Sequence, residues 1–163
     1  MLKPYDTAID PEERAERAAG LFLQGYNCCQ SVALAFADLL PLDEESLKAL
    51  TSGFGGGVGR LREVCGCVSG MTVLAGFISP APDPSDTAAR TANYALVQKF
   101  AAAFRESQGS IVCREILGIR AERKASPEGP KPSERTPQYY ATRPCAASCA
   151  VAARIVAEHL ATL

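Results

Sequence analysis

The chain has 163 residues, 47% apolar and 21% charged, with a formal net charge of −1 and no tryptophan. That length fits one domain, 1–163, whose core needs no disulfide staples. The near-neutral charge argues against a nucleic-acid partner, which draws a basic excess onto one face; Lys124, Lys131, Arg135 and Arg143 lie among prolines and acids and read as a solvated loop.

The opening MLKPYDTAIDPEER is polar and charged, unlike a secretory signal. A cytoplasmic location, where thiols stay reduced, is therefore expected. Asp10 followed by Pro11, Glu12 and Glu13 predicts a first helix running to about Gln24 and stopped by Gly25. Asn27 predicts the cap of a second helix reaching about Leu40, with Cys28, Val32, Ala35, Phe36 and Leu39 on its buried face and Cys29 about a quarter-turn away. Pro41 ends it, and Asp43 caps a short third helix that includes Leu47 and Leu50.

Gly53 to Gly59 holds five glycines in seven residues and cannot be a helix interior. It lacks the Gly-Lys-Ser/Thr ending of a phosphate-binding loop and follows no predicted strand. It reads as a loop packed against the cysteines, with Gly55, Gly56 and Gly57 offering N–H groups to an anion or cluster. Residues 64–79 are the most apolar segment but too short and glycine-rich to span a bilayer, so they predict a buried central helix and no membrane partner. Gly66 and Gly70, four apart, permit close approach of a second helix. A long helix follows Asp83-Pro-Ser-Asp86 to about Glu106. Gly109-Ser110 then stops one helix and caps the next, a short one with Cys113 in its first turn.

Residues 119–143 form a long polar loop, a candidate flap that Tyr139 and Tyr140 would pin down. The last helix starts around Pro144, with Cys145, Cys149, Ala152, Val156 and Leu160 on one stripe. With helical spacing throughout and no convincing strand, the fold is expected to be all-α, a compact bundle.

Seven cysteines stand against a single histidine, His159. Four of them, Cys28, Cys65, Cys113 and Cys145, fall at predicted helix starts, where free N–H groups and the dipole favour a thiolate. Cys28 and Cys145 are accordingly expected to titrate below an ordinary thiol if the site is open to water or an anion, since burial pushes the other way. Soft thiolates suit zinc or iron–sulfur ligation. No CxxC pair is present, however, so ligands must come from distant segments. Thiol–disulfide exchange and plain core packing are the other two readings of the same residues. His159 reads as a surface or helix-end residue, which disfavours a Cys–His hydrolase. The absence of CxxCH excludes c-type haem attachment.

The motifs Asn27-Cys-Cys-Gln-Ser-Val32, Gly53-Phe-Gly-Gly-Gly57, Cys65-Gly-Cys-Val-Ser-Gly70, Gly109-Ser-Ile-Val-Cys113-Arg-Glu-Ile-Leu-Gly118 and Pro144-Cys145 occur in that order. Together they resemble the C_GCAxxG_C_C family, named for its cysteine pattern and suspected of redox activity, from about Phe22 to Ile155. Its four recurring cysteines fall on Cys28, Cys65, Cys113 and Cys145; Cys29, Cys67 and Cys149 look like additions. The resemblance extends to the split-Soret cytochromes, whose related domain is associated with an iron–sulfur centre. The resemblance implies a small helical protein suspected of redox work, and the split-Soret association points to an iron–sulfur cluster; it brings no haem, because CxxCH is absent. Cys28, Cys65, Cys113 and Cys145 are the implied ligands, Cys67 is a reserve, and Gly55, Gly56 and Gly57 line the site. The partner would be an unidentified redox protein, and the pattern leaves room for a homodimer.

Overall fold

A computed structural model describes residues 1–3, 9–119 and 129–163. Lys124 of the expected basic cluster, and part of the expected polar loop, lie outside the described residues. The described residues form eight α-helices: α1 (Pro11–Leu23), α2 (Cys28–Leu34), α3 (Glu44–Thr51), α4 (Gly66–Ile78), α5 (Thr87–Gln108), α6 (Cys113–Ile116), α7 (Pro137–Thr142) and α8 (Cys145–Leu160). The fold is all-α. The one piece of β-type pairing among the described residues is an isolated antiparallel bridge between Val64 and Val112.

Side-chain caps set four of these helix starts close to where the sequence predicts them. Asp10 accepts from the N–H of Glu12 and Glu13. Asn27 and Gln30 form a reciprocal capping box. Asp43 receives the Ser46 N–H and Asp86 the Ala89 N–H. Each such cap contributes about 1 kcal/mol.

Helix α2 ends earlier than expected. After Leu34 the chain tightens: Phe36 N–H bonds to Ala33 O, Leu39 N–H to Phe36 O, and Ala37–Leu39 is a 3₁₀ turn. Arg14 explains part of this, because its Nη1 donates to Ala35 O at 2.7 Å while both its terminal nitrogens grip the Asp38 carboxylate. The guanidinium of α1 thus takes a carbonyl that a longer helix would have used. The expected polar loop also departs from the prediction, since residues 137–142 fold as α7, with Thr136 as its cap and Pro137 at the first turn.

Buried side chains of α1, α2, α4, α5 and α8 form one contiguous core. Helix α4 is enclosed over its first two turns, at Gly66, Cys67, Val68, Gly70 and Met71. It lies tight on α2: a Cβ on Gly70 would stand 2.8 Å from Val32 Cβ, and one on Gly66 would stand 3.0 Å from Cys28 Cβ. Helix α8 packs along α1 through small residues, Ala152, Ala153 and Ala157 against Ala15 and Ala18 being buried on the two helices. Arg154 closes that seam with a two-pronged bond to Glu12 at 2.6 and 2.7 Å. No helix among the described residues is long and apolar enough to cross a membrane.

Candidate functional site

The four helix-start cysteines converge. Cys28, Cys113 and Cys145 are the first residues of α2, α6 and α8, and Cys65 immediately precedes α4. All four line one narrow cavity of about 50 Å³. Among the described residues no Asp, Glu or His lines it.

Backbone pairing delivers two of these thiols. Around the Val64–Val112 bridge, Cys65 N–H donates to Ile111 O at 2.8 Å and Cys113 N–H to Glu63 O at 2.6 Å. Gly118 closes the short turn of α6 with a positive φ, as the Leu117-Gly118 stop requires. Ser110 is not the cap of α6; Val112 occupies that position, and Ser110 Oγ instead accepts the Val112 N–H at 3.0 Å.

The glycine loop forms the facing wall. Gly56, Gly57, Val58, Gly59 and Arg60 run consecutively at φ between 56° and 71°, a left-handed coil closed by bonds such as Glu63 N–H to Gly57 O at 3.1 Å. A Cβ on Gly57 would meet Cys113 Cβ at 2.6 Å, so only glycine fits there. Among the described residues, neither the Gly56 nor the Gly57 N–H donates to a backbone oxygen. Both glycines line the thiol cavity, as expected. Gly55 does not: it packs on Asn27, the cap of α2, and lines an adjoining cavity.

Behind the cavity lies a second set of thiols. Cys67 and Cys149 are fully buried, with their sulfurs 3.7 Å apart. With Cys28 they form a trio whose sulfurs all lie within 4.8 Å of one another, close enough to hold a metal ion. Cys28 therefore belongs to both sets. The sequence reading of α2 is corrected here: Cys29 is 0% exposed and Cys28 only half-buried. α1, α3, α4 and α8 all pack on α2, so it has no outward face for Cys29 to occupy, and the open end of the helix is the one that carries Cys28.

At Cys28 and Cys145 the helix start does not win, and both thiols lie above the ordinary value. An S–H from Cys145 favours the Cys28 thiolate, but donation to Cys149, burial and the charge of Cys149 outweigh it and push Cys28 up. Cys145 is pushed well up, first by its own donation to Cys28 and then by burial. Burial raises Cys29 to about 12 and Cys113 to about 11, the latter against the opposing pull of the Arg62 guanidinium. Cys67 rises because it donates to Cys149, Cys28 and Cys65. Two other thiols are held below the ordinary value. Burial opposes it at Cys149, yet S–H donation from Cys28 and Cys67 brings that thiol down to about 6. Cys65 is lowered by the S–H of Cys67, against burial, and by the N–H groups of Cys67 and Val68 at the start of α4. Like charges crowded together cannot all ionise, and hydrogen bonding selects which do. In the metal-free chain this selection outweighs the helix-dipole contribution of a few tenths to 1 kcal/mol.

Three arginines complete the cavity: Arg62, Arg135 and Arg143. Arg135 lies over the rings of Phe22 and Tyr139, at 4.5 and 4.8 Å from their centroids, and Arg143 lies over Tyr139 at 4.8 Å. Tyr139 and Tyr140 pin α7 to α1 as expected, through their rings on Phe22 and the bond from Tyr140 Oη to Leu23 O. Sequence reasoning missed the arginines as site residues; their only signal was position beside Tyr139 and Cys145. His159 is remote from this chemistry, edge-on to Phe100 with its Nδ1 3.3 Å from Lys99 Nζ.

The donor set is thus all sulfur, gathered from four segments and walled by glycine and arginine. Comparison with curated proteins and with solved structures gives no match. A family model does match, over residues 26–159, a span that holds all seven cysteines and the glycine loop. The chain belongs to the family described as "Putative redox-active protein (C_GCAxxG_C_C)".

Proposed function

We propose that this protein carries or senses electrons through an iron–sulfur cluster held by Cys28, Cys65, Cys113 and Cys145. The observation that supports this best is the convergence of four thiols, one from each of four helix starts, on one cavity that no carboxylate or imidazole lines among the described residues. Such a donor set suits iron–sulfur or zinc and suits magnesium or calcium poorly. Among the described residues the sulfurs within 4.8 Å of one another are those of Cys28, Cys67 and Cys149, a trio that shares Cys28 with the four and could itself hold a metal ion.

A bound cluster supplies electron transfer at a potential set by burial and by hydrogen bonds to sulfur. The chain's own contributions are distinct. The unused N–H groups of Gly56 and Gly57 would donate to sulfur, and the guanidiniums of Arg62, Arg135 and Arg143 would offset the negative charge of four thiolates. Cys67, directly behind Cys28 and Cys65, is the reserve ligand.

Anaerobic isolation followed by a visible spectrum and iron and sulfide counts tests this reading. A brown protein with iron and acid-labile sulfide is expected. A colourless, iron-free protein that stays so after anaerobic reconstitution would leave the second reading. That reading, a thiol–disulfide couple, rests on the 3.7 Å separation of Cys67 and Cys149. Closing that pair would form one S–S bond and release two protons and two electrons to a disulfide or quinone oxidant.

A further inference from the structure

Outside the thiol cavity lies a second, wider one of about 380 Å³, within the range of small-molecule sites. The two share part of their walls, Asn27, Gly56, Arg62, Arg135, Tyr139 and Arg143, so a molecule in the outer cavity borders the thiols directly. Arg60 adds a fourth guanidinium to the outer wall, and among the described residues no Asp or Glu lines either cavity.

Two of these cations are held without a counter-charge. Among the described residues, neither Arg135 nor Arg143 pairs with a carboxylate. Arg135 is fixed by Phe22 and Tyr139, and its Nη2 reaches only Tyr26 O, at 3.4 Å. Its Nη1 is buried with no hydrogen-bond partner. An unmatched buried donor costs about 1–3 kcal/mol, more when charged, and a ligand oxygen would remove that cost. Elsewhere three arginines are matched two-pronged, Arg14 with Asp38, Arg114 with Glu63, and Arg154 with Glu12. Arg90 and Arg105 also lack a carboxylate partner among the described residues, but both are exposed, whereas Arg135 and Arg143 are half-buried.

We propose that the outer cavity is a binding site for a small organic anion, whose carboxylate or phosphate head is gripped by Arg135 and Arg143 and whose body borders the thiol site. A planar guanidinium fork matches either oxyanion. The site goes beyond the cluster assignment and stands on the unpaired guanidiniums, so it holds for the metal-free chain as well.

The test is a titration of the full chain, as isolated and after metal removal, with inorganic phosphate and separately with succinate. Ionic strength is held constant with chloride, and amide NMR shifts and calorimetry are the readouts. Saturable binding by at least one probe is expected, with shifts centred on Tyr139 and Gly56. Phosphate alone saturating points to a phosphorylated ligand, and succinate alone to a carboxylic acid. Arg143→Gln and Arg135→Gln should each weaken binding about tenfold or more, whereas the exposed Arg105→Gln should leave it unchanged. Arg143, at the rim, serves where Arg135→Gln loses helicity. If neither probe saturates the folded protein, or if Arg143→Gln binds as the wild type does, the site does not exist. A changed redox potential in these variants without anion binding also overturns it, since the arginines would then serve the thiolate charge alone.

Discussion

Cys65 and Cys113, 48 positions apart in the chain, are tied by two backbone bonds astride the Val64–Val112 bridge, at 2.8 and 2.6 Å. The pair is therefore set by main-chain geometry, without help from the sulfurs. Replacing either by serine should leave helicity intact while lowering cluster loading at least tenfold. Cys29→Ala, which removes a fully buried thiol that does not line the cavity, should load as the wild type does. Iron per folded chain checks the comparison. Equal loading in Cys113→Ser and wild type would remove Cys113 from the ligand set.

Much of this arrangement was legible in the chain. Asp10, Asn27, Asp43 and Asp86 announce their helices because capping is local, and Gly66 and Gly70 announce a close crossing because they share a face four residues apart. The cysteines could be grouped by a local property, their place at helix starts. What stayed hidden depends on partners distant in sequence. The early end of α2 follows from Arg14, 21 residues away, and the contact of Cys67 with Cys149 spans 82. The balance at Cys28 and Cys145 is hidden for the same reason: the helix start is local, but the neighbouring thiols that decide the proton come from other elements.

Those acidities give a second prediction. Cys28 and Cys145 are only half-buried, yet their thiols are pushed up; Cys149 ionises more readily but is fully buried. Accessible thiol and stable thiolate thus fall on different residues. In metal-free folded protein at pH 7, iodoacetamide should modify Cys28 and Cys145 at least tenfold more slowly than free cysteine, and faster as pH rises or urea unfolds the chain. Peptide mass spectrometry resolves the sites. Rates matching free cysteine would contradict the account.

Two glycines of α4 should behave oppositely. Gly70→Ala drives a methyl group into Val32 and the Cys29 carbonyl, at 2.8 and 3.1 Å, and should destabilise by about 1–3 kcal/mol. Gly76, in the same helix, has no atom within 4 Å of the new methyl, so Gly76→Ala should stabilise by about 0.5–1 kcal/mol. Urea midpoints distinguish them, and equal effects would mean that α2 and α4 do not pack so closely.

The Arg14–Asp38 pair should give acid-dependent stability. Hydrogen bonding from Arg14 holds the Asp38 carboxyl below its ordinary value. A depressed acid contributes fully above its unfolded pKa of about 4 and loses that contribution as pH falls through the lower folded value. Asp38→Asn should therefore cost about 1–3 kcal/mol at pH 7, by leaving the buried Arg14 without its charge partner, and progressively less in acid. A difference that stays constant down to pH 2 would assign the loss to packing instead.

The central claim, an all-sulfur centre built by four helix starts, is met most directly by iron-edge X-ray absorption on anaerobically loaded protein. Wild type should show a first shell of sulfur alone, near 2.3 Å by analogy with other metal–thiolate bonds. Cys113→Ser, where it retains iron, should show one sulfur exchanged for a lighter atom. A wild-type shell containing nitrogen or oxygen, or a shell unchanged in Cys113→Ser, would contradict the account.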